Sequence, residues 1–262
     1  MYFSRKNLSI PYIIFLLAFV AAPMLVVLYY AFTNGEGQFT MTNFIGFFTS
    51  PNTIGTLLYS IMIALSVTVL CLLLAYPSAY LLARLHGHKK PILLMLFVLP
   101  MWINFTLRIT ALKEVLTTLE GNLAFHPFLN TVIGMTYDFL PFMILPLYTV
   151  LEKLDTSLME AAADLGANPV QVFLKVTLPL SVPGILSGIT MVFLPAMTNY
   201  VVLDMMYNST YIMGSLISSY FSAYDWHNGS MISIVLLLII FVLTIATKQF
   251  GDEANENRGT VL

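Results

Sequence analysis

Six long runs of apolar residues divide the chain, and short polar segments separate them. Most of the runs reach or exceed the roughly 20 residues that a helix needs to cross the hydrocarbon core of a bilayer. Within them apolar residues follow one another without a regular polar alternation, which favours spanning helices over the strands of a barrel. The pattern therefore predicts an all-α integral membrane protein with six transmembrane helices, at residues 10–32, 56–83, 92–111, 129–151, 182–203 and 231–247.

The composition agrees with this pattern. Hydrophobic residues make up 58% of the chain, charged residues only 9%, and the mean hydropathy is +0.85. Soluble proteins carry about a quarter charged residues, so the chain is expected to be surrounded by membrane lipid. The single cysteine, Cys71, excludes an intramolecular disulfide, and a net charge of -2 gives no basic surface for nucleic acid.

The basic residues predict the orientation of the chain. The first apolar run is too long for a cleaved signal peptide and is interpreted as a retained anchor. If the N-terminus is cytoplasmic, nine of the eleven basic residues fall on the cytoplasmic side, as the positive-inside rule requires. A multi-pass protein of the plasma (inner) membrane with both termini in the cytoplasm follows. The nine residues are Arg5, Lys6, Arg84, Lys89, Lys90, Lys153, Lys175, Lys248 and Arg258.

A polar segment between the fourth and fifth runs has the pattern of two short helices. Ser157 and Glu160, three residues apart, match a capping box at the start of the first helix. Gly166 is placed to end that helix, since glycine tolerates the left-handed conformation at no steric cost.

The second short helix is predicted from Asn168, an N-cap acceptor, and Pro169, which suits the first helical position. Pro179 is expected to end it. The alanines at 161–163 leave a shallow surface into which side chains of another protein can pack. The segment is therefore interpreted as a cytoplasmic docking site.

The same residues carry a resemblance to a known family. Glu160, Ala161 and Ala162, then Gly166, then nine residues and Val176-x-Leu178-Pro179 resemble the EAA loop of ABC-importer permeases, with Val176 in place of the usual isoleucine. The flanking segments at 99–109 and 140–167 resemble those of permeases for spermidine and putrescine.

This resemblance implies partners and a mechanism. Glu160, Ala161, Ala162 and Gly166 would form the coupling helix, which transmits nucleotide-driven closure of an ATPase to the membrane helices. The family pairs two permeases, here expected to be different but homologous polypeptides, with two ATP-binding subunits and an external solute-binding protein. The 262 residues contain no G-x-x-x-x-G-K-[ST] phosphate cradle, so ATP and Mg²⁺ are assigned to the partner subunits.

Candidate residues for a solute pathway are few. A charged residue at the centre of a membrane helix costs about 2.5 to 3.5 kcal/mol, and Arg108 and Asp138 alone fall within the predicted spans. Asp138, beside Tyr137, is suited to hold an alkylammonium group by charge and cation-π attraction, or it forms a structural ion pair with Arg108.

Other pathway candidates lie at the ends of the spans. Asp204, with Tyr200 nearby, lies at the predicted outer rim and matches the family's segment, although a solvated loop charge is the alternative. Trp102 either lines the pathway or anchors at the interface. His86 and His88 have a metal-like spacing without a carboxylate or thiol nearby, so no metal site is predicted.

The sequence therefore predicts one transmembrane domain over residues 1–262, like that of type I importers, with a coupling loop at 152–181. Its function is that of a non-catalytic permease subunit of a polyamine importer. The alternatives are an importer permease for another small organic solute or a secondary transporter, although no internal repeat is apparent.

Overall fold

The computed structural model describes residues 5–85, 87 and 89–259, so His86 and His88 lie outside the described residues. Within these ranges five helices are long and apolar enough to span a membrane, and one bent pair makes six if it counts as one span. The predicted all-α class and number of spans are confirmed. The helices are α1 Arg5–Leu16, α2 Ala22–Ala31, α3 Thr42–Thr49, α4 Pro51–Arg84, α5 Lys89–Val98, α6 Phe105–Glu120, α7 Pro127–Glu152, α8 Thr156–Asp164, α9 Pro169–Val172, α10 Leu178–Thr198, α11 Tyr200–Met205, α12 Met213–Ser222 and α13 Trp226–Gly259.

The third predicted span, 92–111, is not one straight helix. A 3₁₀ turn at Leu99–Trp102 follows α5, Ile103 is extended, and α6 leaves at an angle of 99°. Pro100 cannot donate a helical hydrogen bond, and the Asn104 side chain accepts one from the Leu107 amide at 3.3 Å and so caps a new helix. The hydrophobic run continues through this point, and the break is therefore set by the proline and the cap.

The chain forms two compact units. One contains the residues up to Leu57 together with Met213–Ile239, and the other contains Leu58–Ile212 and the residues from Ile240 onward. The single domain expected from the sequence stays a prediction.

In the first unit, polar side chains fix the loop after α2. The Asn43 amide donates to the carbonyl oxygens of Ala31, at 3.2 Å, and Thr33, at 3.1 Å. The imidazole of His227 donates from Nδ1 to the carbonyl oxygen of Tyr30 at 3.1 Å, and the Tyr30 and His227 rings meet edge to face. By contrast, the span Pro11–Ala31 buries none of its most apolar stretch within the chain. Most of its apolar side chains are therefore exposed on this chain.

In the second unit, α7 is the most buried of the five spans that are not bent pairs, and it packs against α10 along much of its length. Two glycines of α10 make this possible. A Cβ at Gly184 would lie 3.1 Å from the Pro146 carbonyl oxygen and from the Val150 side chain, and a Cβ at Gly188 would meet the Met143 sulfur. Small residues let membrane helices approach closely, so van der Waals contact can hold them together.

The close approach of α7 and α10 predicts the effect of a single added methyl group. Gly184→Ala is expected to lower the free energy of unfolding by about 1 to 3 kcal/mol, because the backbone of α7 has to shift to make room. The thermal midpoint of the purified protein in detergent measures this. Gly55→Ala is the control, since no atom lies within 4 Å of the added Cβ, and it should leave the midpoint unchanged or raise it. Equal midpoints for the two variants would contradict the packing described here.

Candidate functional site

The segment between α7 and α10 is a helical hairpin, which we define as residues 155–177: α8, α9 and the turn that follows α9. Its first helix is capped by Asp155, whose carboxylate accepts a hydrogen bond from the Ser157 amide at 2.9 Å. The backbone and side-chain hydrogen bonds of Ser157 hold the pKa of the Asp155 carboxyl below its usual value. The predicted capping box of Ser157 and Glu160 is wrong, because the helix begins at Thr156 and Ser157 is already inside it. The exposed carboxylate of Glu160 is therefore not used by the cap.

Gly166 ends the first helix, as predicted. Its φ is +86°, in the region that favours glycine. The Gly166 amide donates to the Ala163 carbonyl at 2.9 Å and the Ala167 amide to the Ala162 carbonyl at 3.1 Å, which together form a Schellman motif. The reversal of the chain is thus fixed by backbone hydrogen bonds.

The second helix starts where the sequence predicts. The Asn168 side chain accepts from the Gln171 amide and the Gln171 side chain accepts from the Asn168 amide, each at 2.9 Å, and Pro169 takes the first helical position. This reciprocal pair satisfies two amides that the helix leaves free.

Pro179 does not end this helix, and that prediction is wrong. A π-helical turn at Phe173–Thr177 joins α9 to α10, and the Leu178 amide donates to the Phe173 carbonyl five residues earlier. Proline removes one donor and its ring crowds the carbonyl four residues back, and the wider π-helical turn accommodates both. The hairpin consequently runs without interruption into a spanning helix.

The predicted fifth span, 182–203, ends early, at Thr198, because the helix breaks at Asn199 before α11.

The hairpin presents an apolar tip and a pocket. Leu165 is 90% exposed and Val170 64% exposed. Between the end of α4 and the hairpin lies an open pocket of about 570 Å³, whose lining includes Arg84 of α4 and Glu160 and Ala163 of α8. Ala161 is exposed and Ala162 half-buried beside it. Exposed apolar groups surrounded by polar residues are typical of a protein interaction site.

Within the spans, Asp138 of α7 forms an ion pair with Arg108 of α6. The distance from Arg108 Nη2 to Asp138 Oδ1 is 2.5 Å, and each side chain is 7% exposed. Arg108 Nε and Nη1 have no hydrogen-bond partner among the described residues. The Tyr137 ring lies 6.0 Å from the guanidinium carbon and is 40% exposed. The structure therefore contains the ion pair that the sequence offered as one of two explanations for Asp138.

The other pathway candidates occupy different surroundings. Asp204 is exposed and Tyr200 half-buried, both on α11. Trp102 is 80% exposed and ends the 3₁₀ turn at the break of the third span. Among the described residues, no hydrogen bond or ion pair joins these three side chains to Asp138.

Sequence reasoning missed several buried polar contacts. The Asn208 amide donates at 3.0 Å to both the Tyr59 hydroxyl and Thr131 Oγ1, and the hydroxyls of Tyr76 and Ser181 are 2.8 Å apart. Their partners are 77 to 149 residues distant in sequence, so a local pattern could not find them.

Comparison with known proteins matches the chain to one family and to curated relatives. Residues 90–252 match the family described as binding-protein-dependent transport system inner membrane component. The chain is 38% identical over 259 residues to the spermidine/putrescine transport system permease protein PotB of Haemophilus influenzae, covering 89% of this chain and 90% of that relative. It is 35% identical over 252 residues to the protein of the same name from Escherichia coli (strain K12), covering 88% and 91%.

The fold also resembles a solved structure. One chain of the crystal structure of a bacterial alginate ABC transporter, in complex with an alginate pentasaccharide-bound periplasmic protein, superimposes with a TM-score of 0.71. The two chains share 14% sequence identity, and the match covers 92% of this chain and 91% of the other. At this identity the likeness concerns the fold alone.

The buried ion pair predicts an asymmetric response to substitution. Asp138→Ala leaves the Arg108 charge buried without a partner and is expected to cost about 3 to 5 kcal/mol of unfolding free energy. The double variant Arg108→Met with Asp138→Leu removes both charges and should lose less than Asp138→Ala. These differences are measured as the thermal unfolding midpoints of wild type, Asp138→Ala and the double variant in detergent. Asp204→Ala is the control at an exposed acid and should stay within about 0.5 kcal/mol of wild type. A double variant less stable than Asp138→Ala would contradict a structural pair.

The left-handed conformation at Gly166 predicts which side chains it tolerates. Gly166→Val should destabilise the turn by about 1 to 2 kcal/mol, because valine is strained in the left-handed conformation. No atom lies within 4 Å of the added Cβ, so a steric clash does not contribute to this loss. Gly166→Asn should cost less than Gly166→Val, because asparagine adopts this conformation more readily than other residues with a Cβ. Hydrogen exchange at the amides of residues 166 and 167, measured by NMR or mass spectrometry, should be faster in Gly166→Val than in Gly166→Asn. Equal protection in both variants would contradict the turn geometry.

Proposed function

Because the chain belongs to the family of binding-protein-dependent transport system inner membrane components, we propose that it is the permease subunit of an ATP-driven importer for polyamines such as spermidine and putrescine. The observation that carries the proposal is identity of 38% and 35% to two spermidine/putrescine permeases along nearly the whole of each chain. A likeness confined to the hairpin would support the importer class without a solute.

The hairpin is the docking site for the ATP-binding subunits. Glu160, Ala161, Ala162 and Gly166 face the cytoplasm in this proposal, which the distribution of basic residues supports. The free carboxylate of Glu160 and the exposed Leu165 offer a charge and an apolar contact at the tip. ATP and Mg²⁺ are bound by the partner subunits, and this chain performs no chemistry on the solute.

The complete importer contains two ATP-binding subunits, this permease, a second homologous permease and an external solute-binding protein. The apolar span Pro11–Ala31, whose most apolar stretch is not buried within its own chain, is available to a neighbouring subunit or to lipid. Both chain termini lie in the cytoplasm. Solute arrives from the binding protein, and closure of the ATP-binding subunits pushes on the hairpin and changes the side from which the helices are open.

The polyamine pathway includes Asp138, Tyr137, Asp204, Tyr200 and Trp102. Asp204 is exposed and can attract an ammonium group directly. Asp138 already holds the Arg108 guanidinium, so an ammonium group reaches it by competing with Arg108, which lies next to the Tyr137 ring. Such competition keeps binding weak enough for release, as transport requires.

The proposal is tested in vesicles that contain the full reconstituted complex, by measuring ATP hydrolysis and uptake of labelled spermidine together. Wild type should take up spermidine when ATP and the binding protein are present. Glu160→Ala and Gly166→Asp should reduce uptake by at least about fivefold, since coupling between two sites is worth about 1 to 3 kcal/mol. Asp164→Asn, an exposed acid on the same helix, is the control and should transport normally.

The outcomes separate the two parts of the proposal. If wild type hydrolyses ATP and imports a different solute but no spermidine, the polyamine assignment is wrong and the importer class stands. If Glu160→Ala and Gly166→Asp transport as well as Asp164→Asn, the hairpin is not the coupling site.

A further inference from the structure

Three side chains on one face of α4 contact the hairpin and the helix that continues from it. Tyr76, Tyr80 and Arg84 are spaced four residues apart, so they follow one another along the same side of the helix. We call them the α4 stripe. No feature of the EAA pattern includes these residues, because they lie more than 70 residues before it in sequence.

The stripe contacts the hairpin at its first helix. Arg84 Nη2 contacts the sulfur of Met159, which is buried on α8 directly before the exposed Glu160. The Arg84 guanidinium also lies 5.4 Å from the centre of the Tyr80 ring, a cation-π distance that orients the long side chain toward α8.

A second contact holds the π-helical turn. The Phe173 ring meets Tyr76 at 5.6 Å and Tyr80 at 6.4 Å between centroids, with interplanar angles of 89° in both cases. Edge-to-face pairs of this kind are favourable beyond the apolar area that they bury. Phe173 therefore connects the turn where α9 passes into α10 to two successive turns of α4.

The third contact lies deeper, on α10 itself. The Tyr76 hydroxyl and Ser181 Oγ are 2.8 Å apart and both residues are buried. The α4 stripe thus contacts α8, the π-helical turn and α10 in order along its length.

A proline also interrupts the hydrogen bonding of α4 within the stripe. Pro77, directly after Tyr76, has no amide to donate to the Leu73 carbonyl. The two helical turns that carry Tyr80 and Arg84 are therefore joined to the rest of α4 by one hydrogen bond fewer, and they are fixed to the hairpin by the contacts above.

From these contacts we propose that the α4 stripe is a second transmission element, which makes the cytoplasmic end of α4 move together with the hairpin. A displacement of the hairpin then reaches two membrane helices, α10 through the continuous chain and α4 through Phe173 and Met159. This inference rests on the proposed function, in which the hairpin receives the movement of the ATP-binding subunits. Tyr80, Arg84 and Phe173 are positioning residues and contact no solute.

The test measures the distance between α4 and the hairpin in the full complex. Spin labels are placed by Leu81→Cys and Leu158→Cys, both exposed, after Cys71→Ala removes the buried native thiol. Labelled complexes that retain ATP hydrolysis are compared without nucleotide and after trapping with ADP and vanadate. In wild type the distance distribution should be the same in both states, because the two elements move together.

Loss of the stripe contacts should separate the two movements. In Phe173→Leu and in Tyr80→Leu the distance should shift or broaden on trapping, and solute uptake per ATP hydrolysed should fall at least about threefold, as expected for residues that contribute to coupling. Leu74→Ala is the control, since Leu74 is exposed on α4 and lies outside the stripe, and it should behave as wild type.

Two results would overturn the proposal: a distance that changes on trapping in the wild-type chain, or one that stays constant in both contact variants. The distance measurement does not depend on which solute is transported. Failure of the wild-type complex to import spermidine would therefore overturn the polyamine assignment alone, and the distances would still decide the role of the stripe.

Discussion

The position of the hairpin in the second unit depends on the close packing of α7 against α10. The hairpin leaves α7 at Glu152 and returns into α10 at Leu178, so the two helices that pack against each other are also the two that hold its ends. Gly184 and Gly188 permit this approach, because a larger residue would meet the backbone or side chains of α7. In a bilayer no hydrophobic driving force brings helices together, and the fit of small residues takes its place.

The spans were predictable because their signal is local. A helix that crosses lipid satisfies its own backbone hydrogen bonds, so a long apolar run is sufficient to identify it. Gly166 and the pair Asn168 and Pro169 were predictable for the same reason, since each acts on its immediate neighbours. Pro100 and Pro179 show the limit. Pro100 is followed by the Asn104 cap and accompanies a 99° break, whereas Pro179 follows a π-helical turn and lies within a continuous helix. No local residue pattern predicted that π-helical turn.

The candidate site was predictable to a similar degree. The sequence identified the hairpin, and it named both Asp138 and its partner Arg108, because charged residues stand out in an apolar span. It could not choose between an ion pair and a pathway acid, since that depends on how α6 and α7 pack. The contacts of Asn208 and of the α4 stripe join residues far apart in sequence, and only tertiary packing brings them together.

The π-helical turn also lets the chain hold one residue more without changing the direction of the hairpin. A turn that closes five residues back instead of four contains one residue more than the α-helical turn it replaces. In a regular α-helix each residue adds about 100° of rotation and about 1.5 Å of rise, so one extra residue would turn everything before it by about a quarter of a circle. Because the wider turn takes up that residue locally, Glu160 and Leu165 keep the direction that an uninterrupted helix one residue shorter would give them. The length of the chain between the hairpin and the span is thus separated from the direction in which the tip of the hairpin points.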